Sequence, residues 1–183
     1  AQGKYLAIHD ADYLVDPDYL RKTAAVLEHY QVARLGRFIF YLSESATFDF
    51  LSHGNFSRLR NIRHSVDSVV QNNPTPIAIH KDAYWEIGGH DESFFGWGGE
   101  DTEFLSRART LNITEAGLLP LVHLWHPSAP KKVSGDRNHQ QQAEKLAIPP
   151  EVRCQILREL QLSDGAPVVA DVSTTSSSQK PGN

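Results

Sequence analysis

The chain has 183 residues, 40% of them hydrophobic, with a formal net charge of −4 and a pI near 6.1. That is enough apolar sequence for one domain with its own core, and the slightly acidic balance excludes a general nucleic-acid binder. The lone Cys154 excludes an internal disulfide, and no apolar run is long enough to span a bilayer. No methionine occurs and an apolar run begins already at Tyr5, so the sequence is expected to be a fragment of a longer chain. Its start lacks the charged-then-apolar order of a signal peptide.

Tyr5 to Ile8 reads as a buried strand, and it runs into Asp10-Ala11-Asp12. Asp16-Pro17-Asp18 predicts a helix start, with Asp16 as N-cap, proline at the first helical position and an acid in the first turn. Leu20, Ala24, Leu27 and Tyr30 follow at helical spacing. Phe38 to Leu42 is a second strand, and residues 44–72 read as helix. Asn72 to Pro76 is a break, Ile77 to Ile79 a third strand, and Lys81 to Ile87 a short helix ended by Gly88-Gly89. Thr102 to Leu111 predicts a helix with Phe104, Leu105, Ala108 and Leu111 on one face and Glu103 toward solvent. Leu118 to Leu124 is a fourth strand, with His123 as a structural member of it. Residues 127–145 are polar and read as a mobile segment. Pro149-Pro150 opens a last helix with Val152, Ile156, Leu157 and Leu160 on one side. Strands alternating with helices argue an α/β fold over residues 1–165, and the Ser/Thr/Pro/Gly composition of 166–183 predicts a disordered tail.

Three constellations carry chemistry. Asp10 and Asp12 sit where a strand ends, the edge at which open α/β sheets collect ligands. Two carboxylates one residue apart suit Mn²⁺ or Mg²⁺; the structural alternative is a turn-forming Asp12 and an exposed Asp10. His126, just after the fourth strand, offers an imidazole that could complete a mixed oxygen and nitrogen site, or a hydrogen-bonded structural histidine. Between them lies Phe94-Phe95-Gly96-Trp97-Gly98-Gly99-Glu100-Asp101. Helix capping explains one acid at a helix start. It does not explain an indole beside two glycines. A ring facing a sugar, glycines that give it clearance, and a carboxylate that takes a hydroxyl proton account for all the parts.

In this order, Asp10-Ala11-Asp12, Gly88-Gly89-His90-Asp91-Glu92, Phe95 to Asp101 and a histidine after a further strand resemble the GT-A glycosyltransferases, the nucleotide-diphospho-sugar transferase fold. The Trp-Gly-Gly-Glu-Asp stretch is similar to the carboxy-terminal region of β-1,4-galactosyltransferases, of bacterial chondroitin-type polymerases and of many bacterial family 2 enzymes. The likeness runs from about Lys4 to about Leu146. It implies the C-terminal portion of that fold, a mixed sheet flanked by helices, whose nucleotide-binding strands would precede Ala1. It further implies a metal-dependent hexosyltransferase of polysaccharide biosynthesis that uses Mn²⁺ or Mg²⁺. The donor would be a nucleotide-sugar, UDP-linked, and the acceptor a hydroxyl of a glycan or glycolipid. By this resemblance Asp10, Asp12 and His126 are the metal ligands. Asp101 is the general base of an inverting reaction, and Trp97, Gly98, Gly99 and Glu100 bind substrate. Residues 127–145 correspond to a loop that orders over bound donor, with Lys131, Lys132 and Arg137 in reach of phosphates. The alternatives are a retaining transferase on the same scaffold and a non-catalytic carbohydrate-binding module. The expected location is the cytoplasm, with peripheral association at the inner membrane face; a Golgi lumenal domain would give meaning to the glycosylation triplets at Asn55 and Asn112.

Overall fold

The computed structural model describes residues 2–54, 66–71, 73–115, 117, 119–127 and 134–163. Among the described residues, eight strands and six helices follow in the order β1 Tyr5–Ile8, β2 Tyr13–Leu14, α1 Tyr19–Leu27, β3 Val32–Ala33, β4 Gly36–Leu42, α2 Glu44–His53, β5 Val66–Gln71, β6 Ile77–His80, α3 Lys81–Glu86, α4 Glu100–Ala108, β7 Ile113–Thr114, β8 Leu119–His123, α5 Gly135–Leu146 and α6 Pro150–Ser163. One four-stranded sheet runs β1-β6-β3-β7, and a second runs β2-β8-β4-β5. Both are mixed: β1 and β3 pair antiparallel with β6 while β3 and β7 are parallel, and β8 lies antiparallel to β2 but parallel to β4. The architecture is thus α/β, with mixed sheets flanked by helices, as the alternating pattern predicts. Among the described residues no helix is long and apolar enough to cross a membrane.

The core follows from the apolar runs. Ile77, Ala78 and Ile79 of β6 are almost fully buried because helices and a neighbouring strand cover both of its faces. Ile77 and Ile79 pack with Val32, Phe104, Ala108 and Cys154; Ala78 faces Tyr13, Tyr19, Leu27, Ile39 and Leu121 on the other side. Each large apolar side chain buried in this way contributes roughly 1.5–3 kcal/mol. Phe104, Leu105 and Ala108 of α4 are buried together, as expected.

Elsewhere the structure departs from the pattern. The Asp16 carboxylate accepts the Asp18 N–H at 2.8 Å and the Tyr19 N–H bonds the Asp16 carbonyl, so a turn precedes the helix and α1 starts only at Tyr19. Its inner face is Tyr19, Thr23 and Leu27; Leu20, expected inside, is 64% exposed. Burial of Tyr19 pushes its phenol up to about 12. Residues 44–72 are not one helix. Ser43 caps α2 by accepting the Ala46 N–H, Gly54 ends it in the left-handed conformation, and β5 then forms an edge strand on β4. Residues 55–65 lie outside the described residues. The segment read as mobile holds a helix, α5, at Gly135–Leu146. On α6 the buried residues are Arg153, Cys154 and Leu157, whereas Val152, Ile156 and Leu160 are exposed.

Glu103 is the clearest correction. It is fully buried, not solvent-facing. It accepts two hydrogen bonds from Arg107 Nε and one from Arg107 Nη2, and it pairs with Arg153 of α6. Arg107 also donates to the carbonyls of Ile87 and Gly89. One carboxylate and two guanidiniums thereby fasten α4 to α6 and to the Gly88–Gly89 turn, whose positive φ angles end α3.

Candidate active site

The register of two strands builds the first half of the site. β2 pairs with β8 so that Tyr13 faces His123, and the Leu124 N–H donates to the Asp12 carbonyl at 2.9 Å. This places Asp12 beside the end of β8. Its Oδ2 lies 3.1 Å from His126 Nε2 and 3.4 Å from His123 Nε2, and one ligand atom from each of the three residues falls within 4.8 Å of the others. Tyr41, aligned with His123 across β4 and β8, stacks on its ring at 4.2 Å, and Tyr13 meets it edge-on. The Trp125 N–H donates to Thr47 Oγ1 at 2.8 Å and fixes the turn that carries His126.

Hydrogen bonding then decides what this cluster can do. His126 Nδ1 is 2.9 Å from the Pro127 carbonyl, which can only accept, so Nδ1 carries the proton. In the neutral ring Nε2 therefore turns a lone pair toward the Asp12 carboxylate, and two acceptors face each other unless a proton or a cation lies between them. Asp12 Oδ1 and His123 Nδ1 are buried without a hydrogen-bond partner among the described residues. An unpartnered carboxylate oxygen beside two imidazoles fits a cation ligated by one carboxylate and two imidazoles, with His123 Nδ1 carrying the ring proton when Nε2 is the ligand.

Asp10 is not part of this cluster. It accepts from Thr75 Oγ1 at 3.3 Å, and Asn73 ties the same corner by donating to the Tyr13 hydroxyl at 2.9 Å. Burial and the Asp10 charge hold the Tyr13 phenol far above its ordinary value. Burial and the same pair of acids, Asp10 and Asp12, raise that of Tyr41. The Asp10 charge thus acts on Tyr13 and Tyr41 beside the cluster and on Asp101 in the second half of the site.

That second half is the start of α4. Gly98 and Gly99 both have φ near +95°, and Gly99 stands at the helix N-cap. Glu100 and Asp101 follow in the first turn. Burial, then Glu100, then Asp10 raise the Asp101 carboxyl to about 6. One oxygen of Glu100 is buried with no partner among the described residues. Gly99 makes room for α5: a Cβ there would come within 2.9 Å of the Asn138 carbonyl and of the Phe94 ring, whereas one on Gly98 would only reach ordinary contact with His139. At Gly99 the clearance expected for a sugar is thus taken up by this helix. Trp97 is 45% exposed and meets the His139 ring edge-on. With Ser134, Gly135, Asp136, Arg137 and His139 it lines an open pocket of about 290 Å³. Lys131 and Lys132 lie outside the described residues; Arg137 is exposed at the pocket wall.

The structure brings Asp12 together with His126, and Asp10 within electrostatic reach of Asp101. His123, read from the sequence as a structural strand residue, lies in the cluster with Asp12 and His126, and Tyr13, Thr75 and Asn138, which the sequence does not single out, contact this region. The available signal for His123 was its spacing of three residues from His126. Residues 76–123 match the family described as the N-terminal domain of galactosyltransferase. The match covers Trp97 to Asp101 and ends at His123, and it supports a glycosyltransferase-like region in an α/β domain whose mixed sheets are consistent with a GT-A-like fold. No curated protein matches the chain.

Proposed function

We propose that this protein transfers a hexose from a nucleotide-diphosphate sugar, UDP-linked, to a hydroxyl of a glycan or glycolipid, with inversion and with Mn²⁺ or Mg²⁺. Glycosyltransferase activity is the coarser statement that the galactosyltransferase-family match suggests. The observation that carries the finer reading is the facing pair of acceptors, Asp12 Oδ2 and His126 Nε2, with His123 beside them. Asp12, His123 and His126 would hold the ion; it supplies neutralising charge for the leaving nucleoside diphosphate.

The chain's own residues do the rest. Asp101, raised to about 6, is ionised at neutral pH yet basic enough to take a proton from an acceptor hydroxyl in the transition state. The hydroxyl oxygen attacks the anomeric carbon from the face opposite the leaving group. Glu100, beside Asp101 in the first turn of α4, would accept from a sugar hydroxyl, and the half-exposed Trp97 would offer an apolar platform.

Calorimetric titration of UDP with and without Mn²⁺ separates this reading from a non-catalytic sugar-binding module, which needs neither. Asp12→Asn and His126→Ala are expected to weaken Mn²⁺ affinity roughly a hundredfold or more, and His123→Ala at least about tenfold. UDP binding that is indifferent to Mn²⁺, or transfer that survives EDTA, would remove the metal role. Product anomericity by NMR tests inversion.

A further inference from the structure

We propose that Asn138 is a positioning residue for Asp101, acting through the Phe95–Gly99 turn; this rests on the base assignment above. Asn138 is 1% exposed, unusual for a side-chain amide in a helix as polar as α5. Its Nδ2 donates to the Phe95 carbonyl and to the Trp97 carbonyl, both at 3.1 Å. Both amide protons are therefore spent on one turn. Its own backbone carbonyl sits against Gly99, where even a methyl group would collide. The turn is gripped on both sides of Trp97, and the next residues in the chain are Glu100 and Asp101.

The rest of α5 grips the preceding stretch. Gln141 donates to Ser93 Oγ at 2.7 Å, and Lys145 pairs with Asp91. Burial opposes ionisation of Asp91, yet Lys145 and Ser93 hold its carboxyl below the ordinary range. These contacts dock the helix; Asn138 alone of the three reaches the turn that aims α4. Two carbonyls pointing at one side chain need a donor with two hydrogens in a fixed plane, which Asn supplies and Asp cannot. A general base must lie within hydrogen-bond reach of its proton, so a small rotation of this turn should lower turnover without touching the groups that bind nucleotide or metal.

The test compares Asn138→Asp, which keeps shape but presents an acceptor to both carbonyls, with Asn138→Ala, which covers the case in which the charged variant does not fold. Ile79→Val, in the core and away from the site, controls for stability. Both Asn138 variants are expected to lower kcat roughly tenfold to a hundredfold while Mn²⁺ and UDP affinities stay within about twofold of wild type. Amide exchange over residues 93–101 should accelerate in them and not in Ile79→Val. The proposal is overturned if exchange there is unchanged, or if kcat falls only as far as it does in Ile79→Val at matched stability. A wild-type protein that transfers no sugar would sink the proposed function instead, and the exchange comparison would still decide whether Asn138 holds the turn.

Discussion

Asp101→Asn should abolish sugar transfer and make the folded protein more stable. The two effects have one cause. Burial, the neighbouring Glu100 and the nearby Asp10 raise the Asp101 carboxyl to about 6, although the start of α4 favours the charged form. A carboxylate that holds its proton more tightly than usual is a better base, and its removal should lower kcat by about 10²–10⁴-fold. The same shift works against the fold. The folded-state pKa lies above the unfolded value, so the Asp101 contribution to stability is most favourable below pH 4, declines as pH rises through the window from about 4 to about 6, and stays reduced above it. A shift of about two units corresponds to at most ~3 kcal/mol; discounted for the partial exposure of the side chain, ~1–2 kcal/mol is expected. Asn keeps the shape and removes the charge. In EDTA at pH 7.5 its Tm should therefore rise by roughly 2–8 °C, with the gain shrinking toward zero at pH 4. In the wild type, kcat/KM should fall as pH drops through about 6, because the base of the free enzyme becomes protonated. Near-normal turnover in Asp101→Asn would end the base assignment. A Tm that does not rise would show that Asp101 is not held against its charge.

Where the chain's local chemistry and its packing agree, the sequence was enough. Ile77 to Ile79 form a strand because a short β-branched run leaves a proline-rich break and has two faces to bury, and β6 buries both. The Gly88-Gly89 stop and the Phe104, Leu105, Ala108 face of α4 are likewise local in origin. Failures arise where a distant partner overrides the apolar count. On α6 the hydrophobic Val152, Ile156 and Leu160 lie outside because Arg153 must reach Glu103, fifty residues earlier. On α5 a polar sequence looked unable to pack, yet its buried residue is Asn138, which is satisfied by carbonyls of another segment.

The site shows the same division. Asp12, His126 and the Glu100–Asp101 pair stand out in the sequence as candidates because an indole, two glycines and paired acids are more than helix capping needs. His123 was not legible. Strand alternation assigns it a face, but only the β2–β8 register puts Asp12 opposite that face. The glycines read as clearance in the sequence, but nothing local announces that α5 approaches Gly99.

Two residues beyond Asp101 on the same helix, Glu103 should behave in the opposite way. It is fully buried, and so is Arg107; Arg153 is 4% exposed. Replacing Glu103 by Ala leaves two guanidiniums in the core with no counter-charge, a change expected to destabilise by about 3–5 kcal/mol. Tm should drop by roughly 6–20 °C in thermal melts. Glu103→Gln is expected to fall between, because an amide oxygen still accepts one bond from the guanidiniums but carries no charge. The side chain lies in the interior and touches none of the groups assigned to transfer, so kcat per folded molecule should stay near wild type in Glu103→Gln below its Tm. Two acids in the first turn of one helix then separate by burial and partner. Asp101 is a charge that burial opposes, as the proposed base requires. Glu103 is a charge surrounded by cations, which makes it structural. A Glu103→Ala protein as stable as the wild type would show that the two arginines are solvated, and the packing of α6 on α4 would have to be redrawn.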